Sequence, residues 1–198
     1  AAADDPDYPA EVCLVLSNRA DAAGLAFAEA RNLPTAVVDH REFSDREAFD
    51  SEVARRLHDH GADLVACAGF MRILGEPLTA CWSGRVLNIH PSLLPAYRGL
   101  DTHERALADG VRVHGCTVHF VNPELDAGPI ICQAAVPVMA DDTPSSLAAR
   151  VLKAEHAIYP RALAWVASGQ VRLENGKVRA PSSGDPGQTL FSPAIRAR

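Results

Sequence analysis

The chain has 198 residues, 47% of them hydrophobic and 22% charged, with a net charge of −6. That is enough for one domain with a sizeable core, and it excludes wholesale disorder. No Lys/Arg block offers a nucleic-acid surface, and no uninterrupted apolar run reaches the ~18 residues of a membrane span. The opening stretch Ala1–Asp5 has neither the basic nor the apolar part of a secretion signal, so a cytoplasmic location is expected.

The five cysteines, Cys13, Cys67, Cys81, Cys116 and Cys132, are odd in number and form no C-x-x-C. Four lie in apolar stretches, which reads as reduced, buried thiols. The eight histidines are scattered, without the clustered spacing zinc requires, so no metal is expected.

Apolar Glu11–Leu16 predicts a strand, and Ala-rich Ala20–Asn32 a helix stopped by Asn32 and Pro34. Thr35–Asp39 predicts a second strand. Ser44 followed by Glu47 has capping-box spacing and opens a helix to about His60. Asp63–Ala68 predicts a third strand, Glu76–Trp82 a short helix, and Val86–His90 a fourth strand. Strands alternating with helices, and apolar on both faces, point to a parallel sheet covered on both sides.

The pattern then changes. Ser92–Asp101 is a Pro/Gly-containing loop and Thr102–Asp109 a short helix. The strand-like runs Cys116–Val121 and Pro129–Val138 stand too close for a helical crossover and are expected to pair antiparallel. Thr143–Ser168 reads as a long helix with Thr143 as N-cap and Pro144 at its first position. Val171–Val178 holds Asn175-Gly176 between alternating residues, a hairpin signal. The fold class is therefore α/β: a mostly parallel twisted sheet with an antiparallel strand in its C-terminal half. Residues 1–180 are expected to form one domain, and 181–198, rich in Pro, Ser and Gly, a flexible tail.

Ligands of open parallel sheets bind beyond the carboxyl ends of the strands. Asn88 and His90 fall there, two apart and so on one side of their strand, and Asp126 lies in the turn between the two later strands. An amide, an imidazole and a carboxylate suit acyl transfer: an N–H for a developing oxyanion, a ring that moves protons, and a carboxylate that tunes it. Each also has a plainer reading. Asn88 can hydrogen-bond loop backbone, His90 can be a satisfied strand-end histidine, and Asp126 before Ala127-Gly128 is a good turn former.

Five ordered strings, AGFMRIL (68–74), NIHPSLLP (88–95), HGCTVHFV (114–121), ELDAGPIICQAAVPV (124–138) and EHAIYP (155–160), resemble the phosphoribosylglycinamide formyltransferases. The resemblance runs from about Glu11 to Val178 and implies a Rossmann-like formyltransferase fold. It implies transfer of a formyl group from 10-formyltetrahydrofolate to the amine of glycinamide ribonucleotide, a step of purine biosynthesis that requires no metal. The family's catalytic Asn, His and Asp fall on Asn88, His90 and Asp126. Asn88 would donate to the oxyanion, and Asp126 would favour protonated His90 and help pass a proton from amine to departing folate nitrogen.

The resemblance also implies ligand positions. Met71, Arg72, Ile73 and Leu74 would line the pterin pocket, with Met71 facing both ligands. Asn122, Glu124, Leu125, Ala127 and Gly128 would close on the pterin ring. Arg46 would approach the substrate phosphate, and Pro91 and Glu155 would contact the nucleotide. His119 would support the catalytic loop. Partners would be the nucleotide and the reduced folate, with no nucleic acid or membrane, in a monomer or homodimer.

One departure stands out. The family begins with a strand and a phosphate-cradling loop ahead of a helix, and Ala1–Tyr8 aligns with the end of that helix, so an N-terminally truncated domain is expected. Rivals are a formyltetrahydrofolate hydrolase and a non-catalytic folate or nucleotide binder. Pro91 and the following Leu-Leu-Pro favour the nucleotide-using family over the hydrolase. A formyltransferase acting on transfer RNA would need a basic C-terminal domain.

Overall fold

The computed structural model describes residues 2–70 and 74–180. The expected tail beyond Ala180 lies outside the described residues. In chain order the elements are Val15–Ser17 (β1), Ala23–Glu29 (α1), Thr35–Val37 (β2), Arg46–Asp59 (α2), Val65–Cys67 (β3), Glu76–Cys81 (α3) and Val86–His90 (β4). Thr102–Ala108 (α4), Val113–Phe120 (β5), Ile130–Pro137 (β6), Pro144–Ala167 (α5), Arg172–Glu174 (β7) and Lys177–Arg179 (β8) follow.

The parallel and antiparallel halves fall where the sequence places them. β1 runs parallel to β2, and β3 parallel to β4. β4, β5 and β6 are antiparallel neighbours, and β7–β8 is the expected hairpin. Asn175 and Gly176 both take positive φ, 50° and 74°, as a tight two-residue hairpin turn requires.

β1–β2 and β3–β4–β5–β6 are separate sheets, so the free edges of β1 and β3 have no strand partner among the described residues. This shortens the expected first strand. Of the residues before Asn18 only Val15–Ser17 find a ladder, beginning with Val15 N–H to Pro34 O at 2.8 Å. The start of α2 also differs from expectation. Asp45, not Ser44, is the N-cap: its carboxylate accepts from Ala48 N–H at 2.8 Å, while Ser44 Oγ donates to the same carboxylate. A charged acceptor outcompetes a hydroxyl at a helix N-terminus.

Alternation along β4 shows why helices cover both faces. Val86 packs into a cluster with Phe49, Val53 and Leu57 of α2 and Leu78 of α3. Its neighbour Leu87 points the other way, into a cluster with Val118, Phe120 and Ala162 of α5. Asn88 and His90 share the face of Val86. Directly opposite on β5 stand His119 and Thr117. The sheet face turned away from α5 therefore carries a polar patch at its end.

α5 is held at its start by a capping box: Thr143 Oγ1 accepts from Ser146 N–H, and Ser146 Oγ accepts from Thr143 N–H. Arg150 grips Asp142 through two hydrogen bonds of 2.6 and 2.8 Å and holds that carboxyl well below the usual range. No helix among the described residues is long and apolar enough to cross a membrane.

His114, 1% exposed, sets an acid limit on stability. Loss of water, then repulsion from His103, pushes its imidazole down to about 4 from 6.5. The unfolded chain takes up this proton near pH 6.5 and the folded chain only near pH 4. Stability is full above that window and falls as pH drops through it, by about 3 kcal/mol for this one group. Urea unfolding at pH 7 and pH 4 checks this: a His114→Phe variant loses about 3 kcal/mol less between the two.

Candidate active site

A cleft of about 1250 Å³ opens beyond the carboxyl ends of β3 and β4, bounded by the 91–101 loop, the 122–126 loop and one face of α5. Asn88, His90 and Asp126 all line it.

Asp126 is brought there by its backbone. It sits at φ 47°, a turn conformation that Asp tolerates, and its loop lies tight against β5. A Cβ on Gly128 would meet Phe120 O at 1.7 Å, so no larger residue allows that approach. Gly128→Ala is expected to lower stability by about 1–3 kcal/mol, as overpacking does, read by urea unfolding.

The Asp126 carboxylate faces His90 Nδ1 through Oδ2 at 3.2 Å, and the same oxygen accepts from Gly99 N–H at 2.9 Å. Both side chains are over nine-tenths buried. The other ring nitrogen of His90, Nε2, stands 2.8 Å from Tyr97 O. A carbonyl only accepts, so Nε2 carries a proton. Nδ1 is left to give a proton to, or take one from, the carboxylate.

His119 fixes the amide. Its Nδ1 lies 2.9 Å from Phe120 O and so donates, and burial pushes the imidazole down towards its neutral form. Nε2 is then a lone pair, and it accepts from Asn88 Nδ2 at 3.3 Å. This orients Asn88 with its amide nitrogen inward and leaves a second N–H for a ligand. Asp126 Oδ1, 3.9 Å from His119 Nε2, is beyond hydrogen-bond reach.

The 91–101 loop is clipped in place by the buried side chains of Thr117, Ser92 and Thr102 and by the exposed Gln133. Thr117 Oγ1 donates to Ser92 O at 2.7 Å and accepts from Leu94 N–H and from Gln133 Nε2. Gln133 Nε2 also donates to Leu94 O, Ser92 Oγ to Ala96 O, and Thr102 Oγ1 to Pro91 O. These bonds set the Tyr97 carbonyl that holds His90. The sequence reading missed Thr117, Gln133, Tyr97 and Gly99. Polar Thr117 and Gln133 inside apolar strands were the available signal for the first two. Main-chain groups leave none.

Of the other expected positions, Leu74, Pro91, Asn122, Glu124, Leu125 and Glu155 line the cleft. Glu155 lies on α5, where burial raises its carboxyl above the ordinary range, partly offset by His156 and His90. Ala127 and Gly128 belong to the same loop but do not line the cleft. Arg46 is exposed, at the first position of α2, and does not line it either. Met71, Arg72 and Ile73 lie outside the described residues, between the lining residues Phe70 and Leu74.

The charge of the cleft is one-sided. Asp101, Glu104, Glu124, Asp126 and Glu155 line it, and among the described residues no Lys or Arg does. Its bases are the imidazoles of His90, His103, His119 and His156. An amide donor, an imidazole and a carboxylate meeting at the carboxyl edge of an α/β sheet are a set of groups that transfer of an acyl-type group can use.

A family model described as formyl transferase matches residues 1–163. Phosphoribosylglycinamide formyltransferase of Escherichia coli (strain K12) is 47% identical over 159 residues, 80% of this chain and 75% of that protein. The structure of phosphoribosylglycinamide formyltransferase from Coxiella burnetii superposes with a TM-score of 0.84 at 46% identity, covering 87% of this chain and 81% of that one. The trifunctional purine biosynthetic protein adenosine-3 of Homo sapiens is 50% identical over 175 residues, 88% of this chain. The chain spans only 17% of the length of that human relative. The chain belongs to the formyl transferase family, alongside its phosphoribosylglycinamide formyltransferases.

Proposed function

We propose that this chain transfers the formyl group of 10-formyltetrahydrofolate to the amine of 5′-phosphoribosylglycinamide, a step of purine biosynthesis. The observation that carries the reading is the His90–Asp126 pair beside the oriented Asn88 amide. The free amine attacks the formyl carbon, and the carbonyl oxygen becomes an oxyanion that the second Asn88 N–H stabilises. The amine nitrogen, now carrying excess positive charge, gives up a proton to the His90–Asp126 pair. A proton from the same pair reaches the folate nitrogen as its bond to carbon breaks. Electrostatic stabilisation and general acid–base transfer therefore come from neighbouring side chains.

The acidic lining of the cleft supports an amine-bearing acceptor, since an ammonium entering it meets carboxylates. Leu74, Asn122, Glu124 and Leu125 are proposed to contact the pterin, with Met71, Arg72 and Ile73 beside them. Ala127 and Gly128 shape that loop from behind. Pro91 and Glu155 are proposed on the nucleotide side, and Arg46 for its phosphate. His119 acts through Asn88 as a positioning residue.

The test is folate release followed by absorbance, with and without the nucleotide. Release that requires the nucleotide supports formyl transfer to the amine. Release that proceeds equally without it supports a hydrolase, and binding of folate with no release supports a silent binder.

A further inference from the structure

The short segment ahead of α4 supplies main-chain groups to both halves of the His90–Asp126 pair, in a conformation that does not form unaided. Tyr97, Gly99 and Asp101 all take left-handed φ, 54°, 79° and 56°. Two of the three are not glycine, so the conformation is costly and has to be imposed by neighbouring groups. Among the described residues, 97–100 make no hydrogen bond from main chain to main chain. What holds the segment must therefore come from side chains.

α4 turns back and provides them. Arg105 Nη1 donates to Arg98 O at 2.7 Å and to Leu100 O at 3.2 Å, and its guanidinium carbon lies 5.4 Å from the Tyr97 ring centroid. Tyr97 Oη donates to Asp109 Oδ2 at 3.0 Å, at the end of the same helix. The main-chain groups alternate. Tyr97 O and Gly99 N–H serve His90 and Asp126, while Arg98 O and Leu100 O serve Arg105. Arg98 O and Gly99 N–H belong to one trans peptide unit. In a planar trans peptide they point in opposite directions, so fixing the oxygen fixes the N–H.

We propose that Arg105 is a positioning residue for the reaction: by gripping Arg98 O it turns Gly99 N–H onto Asp126. This rests on the formyl-transfer reading above. Arg105 is exposed and does not line the cleft, so it acts through other groups. Its effect runs through a single peptide, from guanidinium to carbonyl, then from N–H to the carboxylate that faces His90. A guanidinium is charged at every working pH, and a cation on the carbonyl polarises the peptide and makes its N–H a stronger donor. The outer hydrogen bond therefore both aims the inner one and strengthens it.

Arg105→Ala tests the proposal. The position is exposed and alanine suits a helix, so the variant is expected to fold as the parent chain does. Its kcat falls about three- to tenfold, the worth of one hydrogen bond, while both KM values stay within about twofold. Asp109→Ala releases the Tyr97 hydroxyl but leaves the 98–99 peptide gripped, and it keeps the parent kcat. In an Asp126→Asn background the carboxylate is already gone, and Arg105→Ala then costs less than about twofold. The Gly99 amide proton, followed by NMR in the free chain, reads the same contact without turnover. In Arg105→Ala it moves upfield and exchanges with solvent about tenfold faster. An unchanged kcat in Arg105→Ala, an equal loss in Asp109→Ala, the full loss repeated on Asp126→Asn, or an unmoved Gly99 amide overturns the proposal. A parent chain that carries out no formyl transfer overturns the formyl-transfer reading instead, and the Gly99 amide still decides whether Arg105 aims that N–H at Asp126.

Discussion

Replacing Asp126 with Asn is expected to lower kcat by about 10²–10⁴-fold, the range general acid–base catalysis supplies. The asparagine amide oxygen keeps the hydrogen bond from Gly99 N–H that the carboxylate accepts at 2.9 Å, so the loop stays in place. What disappears is the charge 3.2 Å from His90 Nδ1 and the ability to hold a proton there. His90 remains anchored through Nε2 to Tyr97 O but loses the partner that exchanges protons with it. Both KM values are expected to stay within a few-fold of the parent, since the change falls on chemistry. Steady-state kinetics of Asp126→Asn separate the two quantities, and an unchanged kcat contradicts the proton role.

Asn88→Ala is expected to cost about 10²–10³-fold in kcat, the effect of removing one oxyanion donor. The magnitude comes from preorganisation. His119 is held neutral by burial and by its Nδ1 bond to Phe120 O, so Nε2 receives the Asn88 amide and fixes its orientation before substrate arrives. A His119→Ala variant leaves the amide present but unoriented and should lose less than Asn88→Ala. Equal losses would mean that orientation is the whole contribution of Asn88. Rates measured at saturating substrate for both variants decide this.

The meeting of Asn88, His90 and Asp126 at one cleft was legible because they lie at a strand end and in the turn between two strands. Asn88 and His90 follow from the two-residue period of β4, and Asp126 from a turn between two strands too close for a crossover. What the sequence hid was main-chain chemistry. The Tyr97 carbonyl and Gly99 N–H that complete the His90–Asp126 pair carry no residue-type signal. The cap of α2 went to Asp45 because two adjacent residues both had capping side chains and charge decided between them. The short β1 could not be read from Glu11–Leu16 either, since apolar character says that a segment is buried and not which neighbour completes its ladder.

The carboxylates of Glu104, Glu124 and Glu155 favour the approach of an ammonium, yet the proposed formyl transfer needs the free amine. An ammonium must therefore shed a proton before attack.

The proposed formyl transfer is decided by the destination of one carbon atom. A single turnover with 10-formyltetrahydrofolate carrying ¹³C in the formyl group, followed by carbon NMR in the presence of glycinamide ribonucleotide, reads it directly. The expected result is label in a formamide bonded to the glycine nitrogen, formed in step with tetrahydrofolate and absent when the nucleotide is withheld. Label recovered as free formate, at the same rate with or without the nucleotide, would contradict the account.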